Sequence, residues 1–320
     1  MSEFTLINDY FTWNTCNPDI KLSVGDDAAI IRPQAGEDLI ISVDTSISGR
    51  HFPHDTPAAD IGHKTLAVNL SDLAAMGATP AWFTLALSLP EYNPDWLQAF
   101  SNGMRTLADQ HSIALIGGDT TRGALSITIQ VAGTIPAGTA LLRSGAKTGD
   151  LICVSGYLGD AAAGLACLQG KLQLPESQRQ YCINRLNRPT PQVRLGELLR
   201  GYASSCMDIS DGLLADLGHI LQRSQKGAHI KTAQLPFSPA LMSLPTDQRQ
   251  QYTLSGGDDY ELLFTLPADK FAEVKNNAAK AGILITAIGE ITSKTGELLI
   301  DGKAAGTARG YNHFPATTAT

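Results

Sequence analysis

Cysteine is scarce in this 320-residue chain, and the five present, Cys16, Cys153, Cys167, Cys182 and Cys206, include no C-x-x-C pair. That spacing excludes a cysteine zinc site and a disulfide framework, and leaves free thiols in a reducing cytoplasm as the expectation. No apolar run approaches the ~18 residues of a membrane-spanning helix. The opening MSEFTLINDYF lacks the basic-then-apolar build of a secretory leader. Basic runs are missing as well, and with a net charge of −7 the chain is a poor candidate for nucleic-acid binding. Charged residues make up only 17%, below the roughly 25% usual for soluble domains. Glutamate is the minor acid, at 9 against 22 Asp. Glu favours helix interiors, whereas Asp favours caps, turns and metal sites.

The common nucleotide and hydrolase signatures are also absent. Gly62-His63-Lys64-Thr65 ends like a P-loop but has His63 where the glycine belongs. Gly156-Tyr-Leu-Gly159-Asp160 lacks both the Lys-Ser/Thr pair and the G-x-G-x-x-G spacing, and reads as a close-packed strand-to-helix turn. No H-R-D, D-F-G, G-x-S-x-G or H-E-x-x-H element occurs.

What the chain has is enough apolar material, 43%, to build large cores, and a length that suggests two domains. Strand-like runs fall at 39–43, 82–89, 113–116, 125–132, 151–154, 261–266 and 283–288. Helical patterns fall at 58–76, 95–110, 160–168, 192–199, 212–223 and 268–281. Strands and helices mix throughout, so the class is α/β or mixed α+β. The polar, Gly-rich Ser144–Asp150 is the best boundary, giving residues 1–148 and 149–320. Asn69-Leu-Ser-Asp72 and Asp208-Ile-Ser-Asp211 echo one another as apparent helix starts. Convergent capping and an old duplication both account for that.

Nine of the 22 Asp sit in six short Gly/Ser/Thr clusters: Gly25-Asp26-Asp27, Val43-Asp44-Thr45, Ser71-Asp72, Gly117-Gly118-Asp119-Thr120-Thr121, Asp208-Ile209-Ser210-Asp211-Gly212 and Gly256-Gly257-Asp258-Asp259. Asp44 and Asp119 stand at the ends of strand-like runs, where open α/β sheets place ligands. Each cluster alone is also a plausible turn or helix cap, and Gly256–Asp259 a hairpin turn. Together they suit a magnesium–polyphosphate site. Mg²⁺ takes a few carboxylates plus phosphate oxygens, and glycine lets backbone amides approach phosphate. Two carboxylates brought to about 4 Å repel by roughly 4 kcal/mol at an effective dielectric of ~20. Convergence would therefore require a cation, a proton or a basic partner.

In this order the segments GDDAAI (25–30), SVDTSISGRHF (42–52), HKTLAVNLSDLAAMGATPAW (63–82), LIGGDTTRG (115–123), RSGAKTGD (143–150), MDISDGLLADLGHI (207–220), SGGDDYELLF (255–264) and GYNHF (310–314) resemble the thiamine-monophosphate kinase family. That family lies within the aminoimidazole-ribonucleotide-synthetase-like superfamily. The resemblance covers essentially the whole chain. It implies a two-domain fold, with an N-terminal sheet that dimerises into a barrel and a C-terminal α/β domain that covers it and completes the active site. It implies a cytoplasmic homodimer that phosphorylates thiamine monophosphate to thiamine diphosphate, with ATP as co-substrate and several Mg²⁺ ions.

By matching positions, the resemblance implies metal binding at Asp27, Ser42, Val43 (through its carbonyl), Asp44, Asp72, Asp119, Asp208 and Asp211. It implies ATP contacts at Gly118, Asp119, Arg143 and Ser210, and substrate contacts at His51, Asp258 and Tyr311. Asp44, Asp119, Asp211 and Arg143 would carry the catalytic duty. Asp258 replaces the family's usual Glu and is one methylene shorter. The alternatives are another ATP-dependent enzyme of the superfamily, such as an aminoimidazole ribonucleotide synthetase, and a non-catalytic Mg-nucleotide-binding regulator. Bland readings stand beside the functional ones: Arg143 paired with a surface carboxylate, His51 a packed loop residue, Tyr311 a packing anchor.

Overall fold

A computed structural model describes residues 3–13 and 17–305, which fall into two compact units. Among the described residues the first comprises those up to 140 together with 187–200, and the second 141–186 and 201–305. Tyr311 and Cys16 lie outside the described residues.

The first unit runs α1 (Glu3–Phe11), β1 (Ile20–Leu22), β2 (Ile30–Ile31), β3 (Glu37–Ile47), α2 (Ala58–Ala75), β4 (Thr79–Leu89), α3 (Pro94–Gln110), β5 (Ala114–Arg122) and β6 (Ser126–Pro136). Its main sheet has the order β3-β6-β4-β5, antiparallel except for the parallel pair β4–β5. α3 starts where Asn93 caps it, the side chain accepting from Trp96 N at 3.1 Å, with Pro94 in the first turn. Its apolar residues Leu97, Phe100, Met104 and Leu107 recur at helical spacing and are all buried. Each such side chain contributes roughly 1.5–3 kcal/mol. α2 is different, because it is buried on almost every side and carries no single apolar stripe. It packs against β3, β4, β6 and α3.

Residues 187–200 return to this unit, and their chemistry explains why. They contain a helix, Val193–Leu199, that packs along α2. Arg188 Nε donates to Asp60 Oδ1 at 2.5 Å, at the start of α2. At the other end, Arg200 Nε donates to the Gly77 carbonyl at 2.5 Å, and its Nη2 to Thr79 Oγ1 at 2.9 Å.

One face of the sheet is only half covered. The β1–β2 ribbon, through Ile20, Ala29 and Ile31, lies over Trp82, Ala114, Ile116 and Ala132. The edge strand β3 has no such cover. Ile41, paired in register with Ala132, is 54% exposed, and Leu39, Val43 and Ile47 on the same alternation are exposed with it.

In the second unit, numbering the returning helix α6, the elements are β7 (Leu151–Ser155), α4 (Asp160–Leu168), α5 (Glu176–Asn187), β8 (Ser205–Asp208), α7 (Leu213–Ser224), β9 (Gly227–Ile230), α8 (Pro239–Met242), α9 (Thr246–Ser255), β10 (Leu262–Leu266), α10 (Phe271–Lys280), β11 (Ile285–Thr292), β12 (Leu298–Ile300) and β13 (Lys303–Ala304). The sheet order is β13-β12-β9-β11-β7-β10-β8, with only β12–β9 parallel. Leu213, Leu217, Ile220 and Leu221 of α7 form one core with Ile152, Val154 and Leu263 of the sheet. A second cluster joins Ala163 and Cys167 of α4 to Cys182 of α5 and Leu241 of α8. Both units mix helices with a largely antiparallel sheet, as the mixed pattern of the sequence implies.

Three local expectations are corrected. Asp44 and Asp119 lie inside strands that continue three residues past each, to Ile47 and Arg122, and do not end them. Asn69–Asp72 is no helix start, because α2 already runs from Ala58 and Ser71 is fully buried within it. Ser-Asp is a cap only where backbone amides are unpaired, and in mid-helix they are already bonded. Gly256–Asp259 is no hairpin turn, since it links α9 to β10.

Candidate functional site

In the first unit the structure brings together two aspartate clusters far apart in sequence. Gly25-Asp26-Asp27 and Gly117-Gly118-Asp119 line one cleft of about 520 Å³ beside α1. That volume lies within the ~300–1,000 Å³ of small-molecule pockets. Ser23 Oγ donates to the Leu115 carbonyl at 3.3 Å and ties the first segment to β5. Asp26 Oδ1 accepts from Asp27 N at 2.9 Å, so Asp26 shapes the turn that presents Asp27. Gly118 is dictated by close approach, because a Cβ there would lie 1.8 Å from the Leu85 carbonyl oxygen on β4.

A second constellation sits where β3 meets α2. Ser42 and Asp44, two residues apart, share a face of β3, and Val43 between them points to the opposite, exposed face. Ser42 Oγ donates to Asp72 Oδ2 on α2 at 2.5 Å. Asp44 as a residue keeps an exposed edge, but its carboxyl lies against Asp72. Loss of solvent, and then the Asp72 charge and a shared hydrogen bond, push its pKa up to about 6. Among the described residues no group of three or more His, Cys, Asp or Glu side chains is clustered tightly enough to hold a metal on its own. The donor set still suits Mg²⁺, which typically takes one or two carboxylates and completes its shell with water and phosphate oxygens.

In the second unit the Asp208–Gly212 turn and the Gly256–Glu261 connection are knitted together. Asp208 ends β8, is buried, and pairs in register with Leu262. Asp258 N donates to the Ser210 carbonyl at 2.9 Å, and Tyr260 N to the Ile209 carbonyl at 2.8 Å. Gly257 must lack a side chain, since a Cβ would lie 2.4 Å from the Ser210 carbonyl oxygen. Asp258 (φ 67°) and Tyr260 (φ 51°) both adopt left-handed backbone, a cost of order ~1–3 kcal/mol for each non-glycine residue. The Tyr260 hydroxyl donates to Asp258 Oδ1 at 3.2 Å.

Their neighbours hold that strained backbone. Asp259 and Glu261 are buried. Asp259 Oδ2 accepts from Gly159 N at 2.8 Å. Glu261 accepts from Arg185 Nη2 at 2.7 Å and from Ser155 Oγ at 2.5 Å. Buried Asp160 accepts from Ser238 Oγ at 2.5 Å and from the Tyr181 hydroxyl at 3.0 Å. Burial raises the pKa of all three acids, Asp259 well above the usual carboxylate range, and Arg185 is the cation that opposes this. Gly159 N, in the close-packed turn between β7 and α4, is therefore already bonded.

The remaining expected residues are placed as follows. His51 Nδ1 accepts from Ile47 N at 2.9 Å, which leaves Nε2 as the protonated nitrogen of the neutral ring. The side chain of Arg143 is exposed and makes no ion pair among the described residues, while its carbonyl accepts from Ser224 Oγ at 3.5 Å. Sequence reasoning missed Asp216, Asp160 and Arg185. Asp216 had a readable signal, an acid in the first turn of a helix. Arg185 had none, because its partner lies 76 residues away.

Fold and site together define a two-domain protein of the AIR-synthase type, with glycine–aspartate clusters in both halves. Residues 25–135 match the profile for the N-terminal domain of AIR synthase related proteins, and residues 147–301 that for the C-terminal domain. The thiamine-monophosphate kinase of Escherichia coli K12 is 46% identical over 318 residues, covering 98% of each chain. The crystal structure of thiamine-monophosphate kinase from Stenotrophomonas maltophilia K279a superposes with a TM-score of 0.89 at 50% identity, over 95% of this chain and 98% of that one. A structure of AaThiL complexed with AMPPCP and TMP superposes with a TM-score of 0.79 at 30% identity, over 91% and 92%. The chain belongs to the thiamine-monophosphate kinase family.

Proposed function

We propose that this protein transfers the γ-phosphoryl group of ATP to the phosphate of thiamine monophosphate, giving thiamine diphosphate and ADP. The observation that carries this reading is the meeting of Gly25-Asp26-Asp27 and Gly117-Gly118-Asp119 on one nucleotide-sized cleft. The 46% identity to a thiamine-monophosphate kinase over 98% of both chains supports it.

An oxygen of the substrate phosphate attacks the γ-phosphorus in line, and the bond from that phosphorus to ADP breaks. A phosphate monoester has a second pKa near ~6, so the attacking oxygen is already ionised at neutral pH and no general base is required. Catalysis then rests on positioning and on offsetting charge. Mg²⁺ would be held by Asp27, Ser42, the Val43 carbonyl, Asp44, Asp72, Asp119, Asp208 and Asp211, and when bound it neutralises phosphate charge. Gly118, Asp119 and Ser210 contact ATP. Arg143, with no carboxylate partner among the described residues, offers its planar fork to phosphate oxygens. His51, Asp258 and Tyr311 contact thiamine monophosphate, with Asp258 offering its negative charge to the cationic thiazolium.

The protein acts as a homodimer. The uncovered stripe Leu39, Ile41, Val43 and Ile47 on an edge strand supports this, because such a surface invites a second sheet. It works in the cytoplasm. The four described cysteines are free, and no helix among the described residues is long and apolar enough to cross a membrane, which agrees with that location. ADP release measured with and without thiamine monophosphate tests the reaction. Release that depends on thiamine monophosphate and on Mg²⁺ is expected, and release indifferent to thiamine monophosphate rejects it.

A further inference from the structure

Asp216 lies in the first turn of α7 and is only 1% exposed. One oxygen of its carboxylate, Oδ2, accepts from three consecutive backbone amides, those of Ser210, Asp211 and Gly212, each at 3.1 Å. Successive N–H groups converging on one point form a concavity that binds anions. Here the protein's own carboxylate fills that concavity. The opposite side of the turn is also engaged, since the Ile209 and Ser210 carbonyls accept from Tyr260 N and Asp258 N.

Two consequences follow. The amides of this turn are already committed, so it meets a phosphate or a cation through the Ser210 hydroxyl and the Asp211 carboxylate. The direction of those two side chains is then set by a backbone that Asp216 holds from behind.

We propose that Asp216 is a positioning residue, whose carboxyl oxygen fixes the Ser210–Gly212 turn so that Asp211 and Ser210 face their ligands. This rests on the reading of Asp211 as a magnesium ligand and Ser210 as a nucleotide contact. A carboxylate that served only to start α7 would affect stability and leave ligand affinity alone.

The test compares Asp216→Asn with Asp211→Asn in the full-length protein. Mn²⁺ binding in the presence of AMPPCP is followed by electron paramagnetic resonance, and steady-state kinetics are measured over a range of Mg²⁺. For Asp216→Asn the expected result is at least a tenfold loss of Mn²⁺ affinity and a tenfold rise in the KM for ATP, partly restored by excess Mg²⁺ because every ligand is still present. Asp211→Asn should lose turnover that excess Mg²⁺ does not restore. A folded Asp216→Asn with wild-type Mn²⁺ affinity and KM for ATP, beside an impaired Asp211→Asn, overturns the proposal and leaves the metal reading intact. Wild-type turnover in Asp211→Asn overturns the metal reading itself. If Asp216→Asn does not fold, Asp216→Glu is read by the same titration, since it keeps the charge but displaces it by one methylene. A loss of at least threefold in Mn²⁺ affinity is expected, and an unchanged titration rejects the proposal.

Discussion

Ser42 Oγ donates a 2.5 Å hydrogen bond to Asp72 Oδ2, joining an edge strand to the last turn of the helix packed beneath it. The bond orients one carboxylate while Asp44 presses a second against it. Two acids so placed repel one another unless a proton or a cation comes between them.

In the metal-free protein, Asp44 has a folded pKa of about 6 against an ordinary value of 3.8. Between those values the folded state binds more protons than the unfolded state, so this group's contribution to stability falls as pH rises from about 4 to 6. Mg²⁺ should oppose the loss most strongly above pH 6, where Asp44 is ionised. Thermal melts in chelator and in Mg²⁺ across pH 4–8 check this. A magnesium-induced rise in Tm that is the same at pH 5 and pH 7.5 contradicts it.

Substitution of Asp44 by Asn should lower kcat by about 10²-fold or more, as loss of a preorganised charge in a transfer site does. The fold should persist, because Asn occupies the same volume and relieves the repulsion from Asp72. Steady-state kinetics with circular dichroism check both halves of the statement.

Removal of Arg185 tests the buried acid group of the second unit. Arg185→Met leaves Glu261, Asp259 and Asp160 without a cation, and breaking a buried pair in this way costs roughly 3–5 kcal/mol. Denaturant unfolding should show that loss. Arg185→Met with Glu261→Gln should recover part of it, and a double variant no better than the single one argues against the pairing as the cause.

The edge-strand stripe predicts oligomeric state. Ile41→Glu places a charge on the exposed face of β3 and should convert a dimer to monomer, as read by sedimentation velocity. An Ile41→Glu protein that still sediments as a dimer places the interface elsewhere.

Much of this was legible in the sequence because it is local. The helical pattern at 95–110 becomes α3, and the strand-like run at 125–132 becomes part of β6. Of the glycine–aspartate clusters, Gly25–Asp27 and Gly117–Asp119 share a cleft. What could not be read depends on distant partners. Nothing in the composition of 187–200 says that Arg188 and Arg200 reach the two ends of α2. Asp72 looked like a cap because Ser-Asp starts many helices, and only the packed structure shows that it lies in the last turn of α2, opposite Ser42. Asp259 resembled its neighbour Asp258, yet the left-handed turns at 258 and 260 send one to Gly159 N in the core and leave the other beside the Tyr260 hydroxyl.

Direct transfer also implies that no phosphoryl group rests on the protein. Incubation with γ-labelled ATP, followed by denaturation, should leave the chain unlabelled. A stable labelled chain formed at a rate matching turnover would replace the single displacement with two.

The most direct measurement follows the γ-phosphoryl group itself. ATP carrying ¹⁸O in its γ-phosphoryl oxygens is incubated with thiamine monophosphate, Mg²⁺ and the protein, and the products are resolved by mass spectrometry. The account predicts thiamine diphosphate with the label in its terminal phosphate, equal in amount to the ADP formed. Label appearing in inorganic phosphate, with no thiamine diphosphate, would contradict it.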